Sequence, residues 1–199
     1  LYVSYNNLEN YANDLTSAIK TPYAPYKKFA PENGKFKQLN DNILQIENEF
    51  YSTIRPKRVT SSGSRPVKVL REQGVEYIEV RCLDLNPFLP VGIDNEEIYF
   101  LNSFLLFCLL RKSRPSDSDE YTEIEQNLRT VVNRGREPGL QLGNSGKLIP
   151  LKDWAEEILS ETLEISGLMD DIHGSDVHSK ATQAQLAKVQ DSALTPSAK

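Results

Sequence analysis

The chain has 199 residues, 39% of them hydrophobic and 26% charged, with a formal net charge of −5. That length fits one large domain or two small ones, and the hydrophobic content excludes a wholly disordered chain. Neither half is strongly basic, so a dedicated nucleic-acid-binding domain is not expected.

Leu8, Tyr11, Leu15 and Ile19, with Ala12 and Ala18, recur at helical spacing. They predict a helix over about 8–20, capped by Asn6 or Asn7 and stopping near Thr21-Pro22. Residues 22–34 read as a loop with a helical turn around 26–29. A short strand at 35–39, the turn Asn40-Asp41 and a long strand over 42–52 make a hairpin. Alternation on that long strand puts Gln45, Glu47, Glu49 and Tyr51 on one face and Leu44, Ile46 and Phe50 on the other.

Residues 54–68 hold Arg55, Lys57, Arg58, Arg65 and Lys68 and no acid, with a flexible tip at 60–64. A short helix over 66–72 ends at Gly74. A second strand over 75–82 then puts Tyr77, Glu79 and Arg81 on one face and Ile78, Val80 and Cys82 on the other. Two prolines make 85–91 irregular. Asp94 with Glu97 forms a capping box that opens a strongly apolar helix to about Leu110. Further helices are expected over 119–134 and 151–172, separated by a Gly-rich loop at 135–150, with a weaker helix over 176–191 and a frayed end. The pattern is α+β: a small antiparallel sheet with helices over 1–112, then a helical region over 113–199.

Cys82 and Cys108 sit among apolar residues and read as reduced core thiols. No signal peptide appears at the start, and the apolar run at 98–110 is too short to span a bilayer. The expected location is cytoplasmic, without membrane contact. His173 and His178, five residues apart, do not share a helix face, and no metal role is expected of them.

Glu79 and Arg81 form the pair with most chemical content. A carboxylate is a hard ligand for Mg²⁺, and an arginine two residues on can clamp a phosphate bound to that metal. An exposed strand face with an ion pair explains the spacing equally well. Glu47 and Glu49 allow the same two readings. The Tyr51 hydroxyl could orient a carboxylate, or the ring could simply pack. The basic segment could hold nucleotide phosphates or be a solvated loop.

The segments LQIENE (44–49), IRPKR (54–58), EYIEVR (76–81) and LDLNPF (83–88) closely resemble the proteobacterial glutamate–cysteine ligases, also called γ-glutamylcysteine synthetases. The likeness extends to AIKTP (18–22) and GREPGLQLG (135–143) and is loose after Leu151. The resemblance implies a partial sheet of the glutamine synthetase-like catalytic fold. It also implies an ATP-dependent ligase of glutathione biosynthesis that uses L-glutamate, L-cysteine, ATP and Mg²⁺ or Mn²⁺.

By the same resemblance, Glu79 is a metal ligand, Arg81 contacts the transferred phosphate, and Tyr51 lines the cysteine subsite. Glu47, Glu49, Arg55 and Lys57 belong to matching blocks without an assigned role. Family members are much longer, so the chain is expected to be a later part of such an enzyme, inactive without the N-terminal part. The competing readings are a related carboxylate–amine ligase with another acceptor, and a non-catalytic association module.

Overall fold

The computed structural model describes residues 1–29, 35, 37–61 and 63–199. They form two compact units, Leu1–Leu83 and Asp84–Lys199. The fold class is α+β, with a partial antiparallel sheet in the first unit and a largely helical second unit.

In the first unit, α1 (Leu8–Ala18) begins where the Asn7 side chain accepts a hydrogen bond from the Asn10 N–H at 2.8 Å. Its apolar stripe buries Tyr11, Ala12 and Leu15 against Val3, Phe50 and the helix α2 (Pro66–Gln73), which contributes Val67 and Leu70. A 3₁₀ segment, Ala24–Phe29, covers the expected helical turn. Gly74, at φ 79°, ends α2 in a region of backbone space that suits glycine.

The expected hairpin over 35–52 does not form. Phe36 lies outside the described residues; residues 37–39 are bends, and Glu47–Glu49 is a 3₁₀ turn. The cause is long-range. Glu47 is buried, and its carboxylate accepts from the Val67 N–H at 2.9 Å and from Arg65 Nη2 at 2.8 Å. Arg65, at the N-cap of α2, makes no capping bond of its own, so Glu47 supplies the anion that the free N–H groups and helix dipole favour. Glu49 is exposed and closes a local turn, accepting from the N–H and the side-chain amide of Gln45 at 2.6 and 3.2 Å. Glu47→Ala is therefore expected to lower stability by about 1–2 kcal/mol, while Arg65→Ala, with an exposed side chain, changes it far less. Thermal melts of the two variants check this.

The strand that pairs with the Glu79 strand lies instead in the basic segment. β1 (Ile54–Lys57) and β2 (Tyr77–Val80) are antiparallel, with Arg55 opposite Glu79 and Lys57 opposite Tyr77.

In the second unit, α3 (Asn95–Leu110) opens on the expected box, the Asp94 side chain accepting from the Glu97 N–H at 2.9 Å. The sequence grouped this helix with the sheet, but α3 packs on α5 (Leu151–His173) and α6 (Val177–Gln190). Small hydroxyl residues mediate the close approach: Ser103, Thr162, Ser166 and Thr182 are almost wholly buried, and the Ser166 and Thr182 hydroxyls lie 2.7 Å apart.

Residues 135–150, expected as loop, include a hairpin, β3 (Gln141–Asn144) and β4 (Lys147–Pro150). Its two-residue turn has Ser145 at φ 56° and Gly146 at φ 76°, the left-handed pair that matches strand twist. The helix α4 (Ser118–Arg134) holds the hairpin. Asn127 exchanges two hydrogen bonds with the Gly143 backbone, and the Glu123 carboxylate accepts from the N–H groups of Ser145 and Gly146. A Cβ added at Gly143 would come within 2.6 Å of Glu123 Oε1. Gly143→Ala is expected to displace Glu123, strip both turn bonds and destabilise the hairpin by about 1–2 kcal/mol, read as faster amide exchange at 145 and 146.

Cys82 and Cys108 are unpaired, but both are exposed rather than core thiols. No helix among the described residues is long and apolar enough to cross a membrane.

Candidate active site

Directly opposed residues of an antiparallel pair project to the same face. The register of β1 and β2 therefore places Arg55, Lys57, Tyr77 and Glu79 on one face, and Arg81 continues it, its N–H bonded to the Thr53 carbonyl at 2.7 Å. On the other face Ile54, Pro56 and Ile78 line a small cleft with Tyr5, Leu8 and Tyr11. The Tyr5 hydroxyl donates to the Ile54 carbonyl at 2.7 Å and fixes the start of β1. One side of the ribbon is apolar and backed by α1, and the other gathers charge.

On the charged side, Arg81 Nη2 approaches Glu79 Oε2 to 2.9 Å, and the Arg81 guanidinium carbon lies 5.2 Å from the centre of the Tyr51 ring. The three residues singled out from sequence thus meet in one cluster. Tyr51 arrives there from a loop and not from the expected strand, held by a cation–π contact that the planar guanidinium favours. Arg81 holds the Glu79 carboxyl below its ordinary range against the opposing pull of burial, and Lys57 and Arg55 act in the same direction. Glu79 in turn raises the Arg81 pKa.

Glu79 Oε2 is shielded from solvent, and its one close polar neighbour among the described residues is the Arg81 guanidinium at 2.9 Å. An ionised oxygen with spare lone pairs beside a guanidinium suits a divalent cation as one of its ligands. No group of three or more His, Cys, Asp or Glu side chains converges among the described residues, so Glu79 would be one ligand and not a complete set.

Arg55 is a functional candidate whose position the sequence did not reveal. It is 8% exposed, sits opposite Glu79, and its Nε lacks a partner. The alternation of Ile54 and Pro56 with Arg55 and Lys57 was the available signal, obscured by the proline and the surrounding bases. Glu47 and Glu49, the other acidic candidates, are engaged in capping α2 and in a local turn and do not join the cluster. His173 and His178 stack at 5.9 Å from different helices, outside this unit.

The family model for glutamate–cysteine ligase matches residues 1–131. The chain belongs to the glutamate–cysteine ligase family. Glutamate–cysteine ligases of Pseudomonas fluorescens (strain Pf-5) and Pseudomonas putida (strain KT2440) are 52% and 53% identical to it over 195 residues. Those matches cover 98% of this chain and 37% of each relative. The crystal structure of the Francisella tularensis enzyme in complex with AMP superposes with a TM-score of 0.89 at 38% identity, covering 98% of this chain and 39% of that one. The glutamine synthetase-like sheet and helical second half expected from sequence thus stand within the ligase family, and the chain spans less than two fifths of the length of these relatives.

Proposed function

We propose that this chain carries one side of the nucleotide and cysteine site of an ATP-dependent glutamate–cysteine ligase. The whole enzyme joins the γ-carboxylate of L-glutamate to the amine of L-cysteine, the first step of glutathione biosynthesis. The observation that carries this reading is the Tyr51–Arg81–Glu79 cluster, built on blocks that match the family. The AMP held by the Francisella enzyme supports a nucleotide as ligand.

In the reaction the γ-phosphoryl group moves from ATP to an oxygen of the glutamate γ-carboxylate. The cysteine amine then attacks the acyl carbon, phosphate leaves, and the amine loses a proton. Mg²⁺ or Mn²⁺, held in part by Glu79, would supply charge neutralisation for the phosphoryl oxygens. Arg81 holds the charge that builds on those oxygens during transfer. Its cation–π contact with Tyr51 restrains the guanidinium, and the Tyr51 side chain, largely exposed, would bind the cysteine carboxylate through its hydroxyl. Arg81 chiefly holds the Glu79 carboxyl below its ordinary range, and Lys57 and Arg55, on the same face, add to it. The partner of this segment is the remainder of a longer enzyme, in keeping with the share of the relatives it spans.

The test is ADP release by the full-length enzyme containing this segment, with the wild-type residue and with Glu79→Gln. The variant is expected to lose at least tenfold in turnover and to need more Mg²⁺ for half-maximal rate. Normal turnover at normal Mg²⁺ overturns the role of Glu79. Equal rates with cysteine and with other small amines would place the enzyme among ligases for another acceptor.

A further inference from the structure

We propose that the helical unit contains a second binding site, for a small amphipathic anion with an apolar body and one carboxylate. The site is a cleft of about 630 Å³ between the loop that follows α4, the start of α5 and the end of α6. That size lies within the range of small-molecule sites. Its apolar wall includes Phe100, Leu140, Leu151, Ile158, Leu159 and Val189, with Leu140 and Leu159 buried.

Of the four charged residues in its lining, three are cationic. Arg136, Lys152 and Lys188 line the cleft, and Arg136 has no ion pair or hydrogen bond among the described residues. The acids near the lysines stand at the outer limit of pairing, Glu156 at 4.0 Å from Lys152 and Glu96 at 3.9 Å from Lys188, and Lys188 Nζ also donates to Gln185 Oε1 at 3.1 Å, a neutral partner within the lining. The single carboxylate of the lining, Glu137, is taken by Arg134, which lies outside the lining and donates to both its oxygens at 2.6 and 2.7 Å. An apolar slot with a cationic rim and a neutralised acid complements a carboxylate on a hydrocarbon or aromatic body. The residues are remote in sequence from Glu79 and Arg81, and the unit holding the cleft folds around its own helices.

The probe is decanoate, titrated calorimetrically into the 199-residue chain, with decyltrimethylammonium as the charge-reversed control. Saturable one-to-one binding of decanoate that weakens with salt is expected, with at least tenfold weaker binding of the cation. Arg136→Glu, an exposed change, is expected to weaken decanoate binding at least fivefold without altering the far-UV circular dichroism. Ala155→Trp, which fills the cleft, should abolish it. Absence of saturable decanoate binding overturns the proposal. Equal binding of the two amphiphiles, or unchanged decanoate binding in a folded Arg136→Glu chain, overturns it as well.

Discussion

In the full-length enzyme, Arg81→Ala is expected to lower kcat by about 10²–10³-fold, with a much smaller change in KM for cysteine. The magnitude is that of removing one preorganised group from charge that develops only in the transition state. Arg81 is well placed for that role. It is held from one side by Glu79 at 2.9 Å and from the other by the face of Tyr51, so in the proposed role little reorganisation would be needed as phosphoryl charge builds. Arg81→Lys should recover only part of the rate. An ammonium keeps the charge but loses the planar guanidinium and its fork of donors.

The substitution also has a pH signature. Arg81 is the largest influence holding the Glu79 carboxyl below its ordinary range. Without it the carboxyl titrates closer to its usual value, so protons compete with a cation for Glu79 at higher pH. The acid limb of kcat/KM in Arg81→Ala should therefore move upward in pH relative to wild type. Turnover within about threefold of wild type, with an unmoved acid limb, would remove Arg81 from the mechanism.

How far the sequence disclosed this arrangement depends on the range of the interactions involved. Local signals read correctly: the Asn7 cap of α1, the stop of α2 at Gly74, and the Asp94 cap of α3 all act within four residues. The long strand over 42–52 misled because its alternation is real but serves another purpose. Glu47 points to the start of α2, 20 residues away, and no local pattern announces a carboxylate that caps a distant helix. The β3–β4 hairpin was accessible, since Asn144-Ser145-Gly146 between alternating apolar residues is a turn signature.

The candidate site shows the same division. Alternation along 77–81 was enough to put Glu79 and Arg81 on one face, because both lie on a single short element. Tyr51 joins them through a ring contact across the fold, which strand periodicity cannot supply. Arg55 reaches the same face only through the cross-strand register.

Asp170→Ala is expected to destabilise the helical unit by about 3 kcal/mol, the largest stability effect among the substitutions considered. The α6 N-cap, Asp176, makes no capping bond, and Asp170, from α5, takes over that role. Its Oδ1 accepts from the His178 N–H at 3.0 Å and lies 2.9 Å from His178 Nδ1, while Oδ2 accepts from the Ser179 N–H at 2.8 Å. Asp170 and His178 are both buried, so removing the carboxylate leaves polar groups without partners where water does not reach them. Asp170→Asn should cost less, since its amide oxygen can still accept from one backbone N–H.

Acid should reveal the same interaction. Burial pushes the Asp170 pKa up, but bonds from Ser179 and His178 outweigh it and hold the carboxyl well below the ordinary range. An acid depressed in the folded state stabilises fully above its unfolded pKa, near 4, and loses that contribution as pH falls toward the folded value. Thermal melts between pH 3 and 7 should show the gap between wild type and Asp170→Asn widest above pH 5 and narrowing below pH 4. A gap independent of pH would mean that Asp170 acts through packing alone, and a gap that widens in acid would reverse the assignment of its charge.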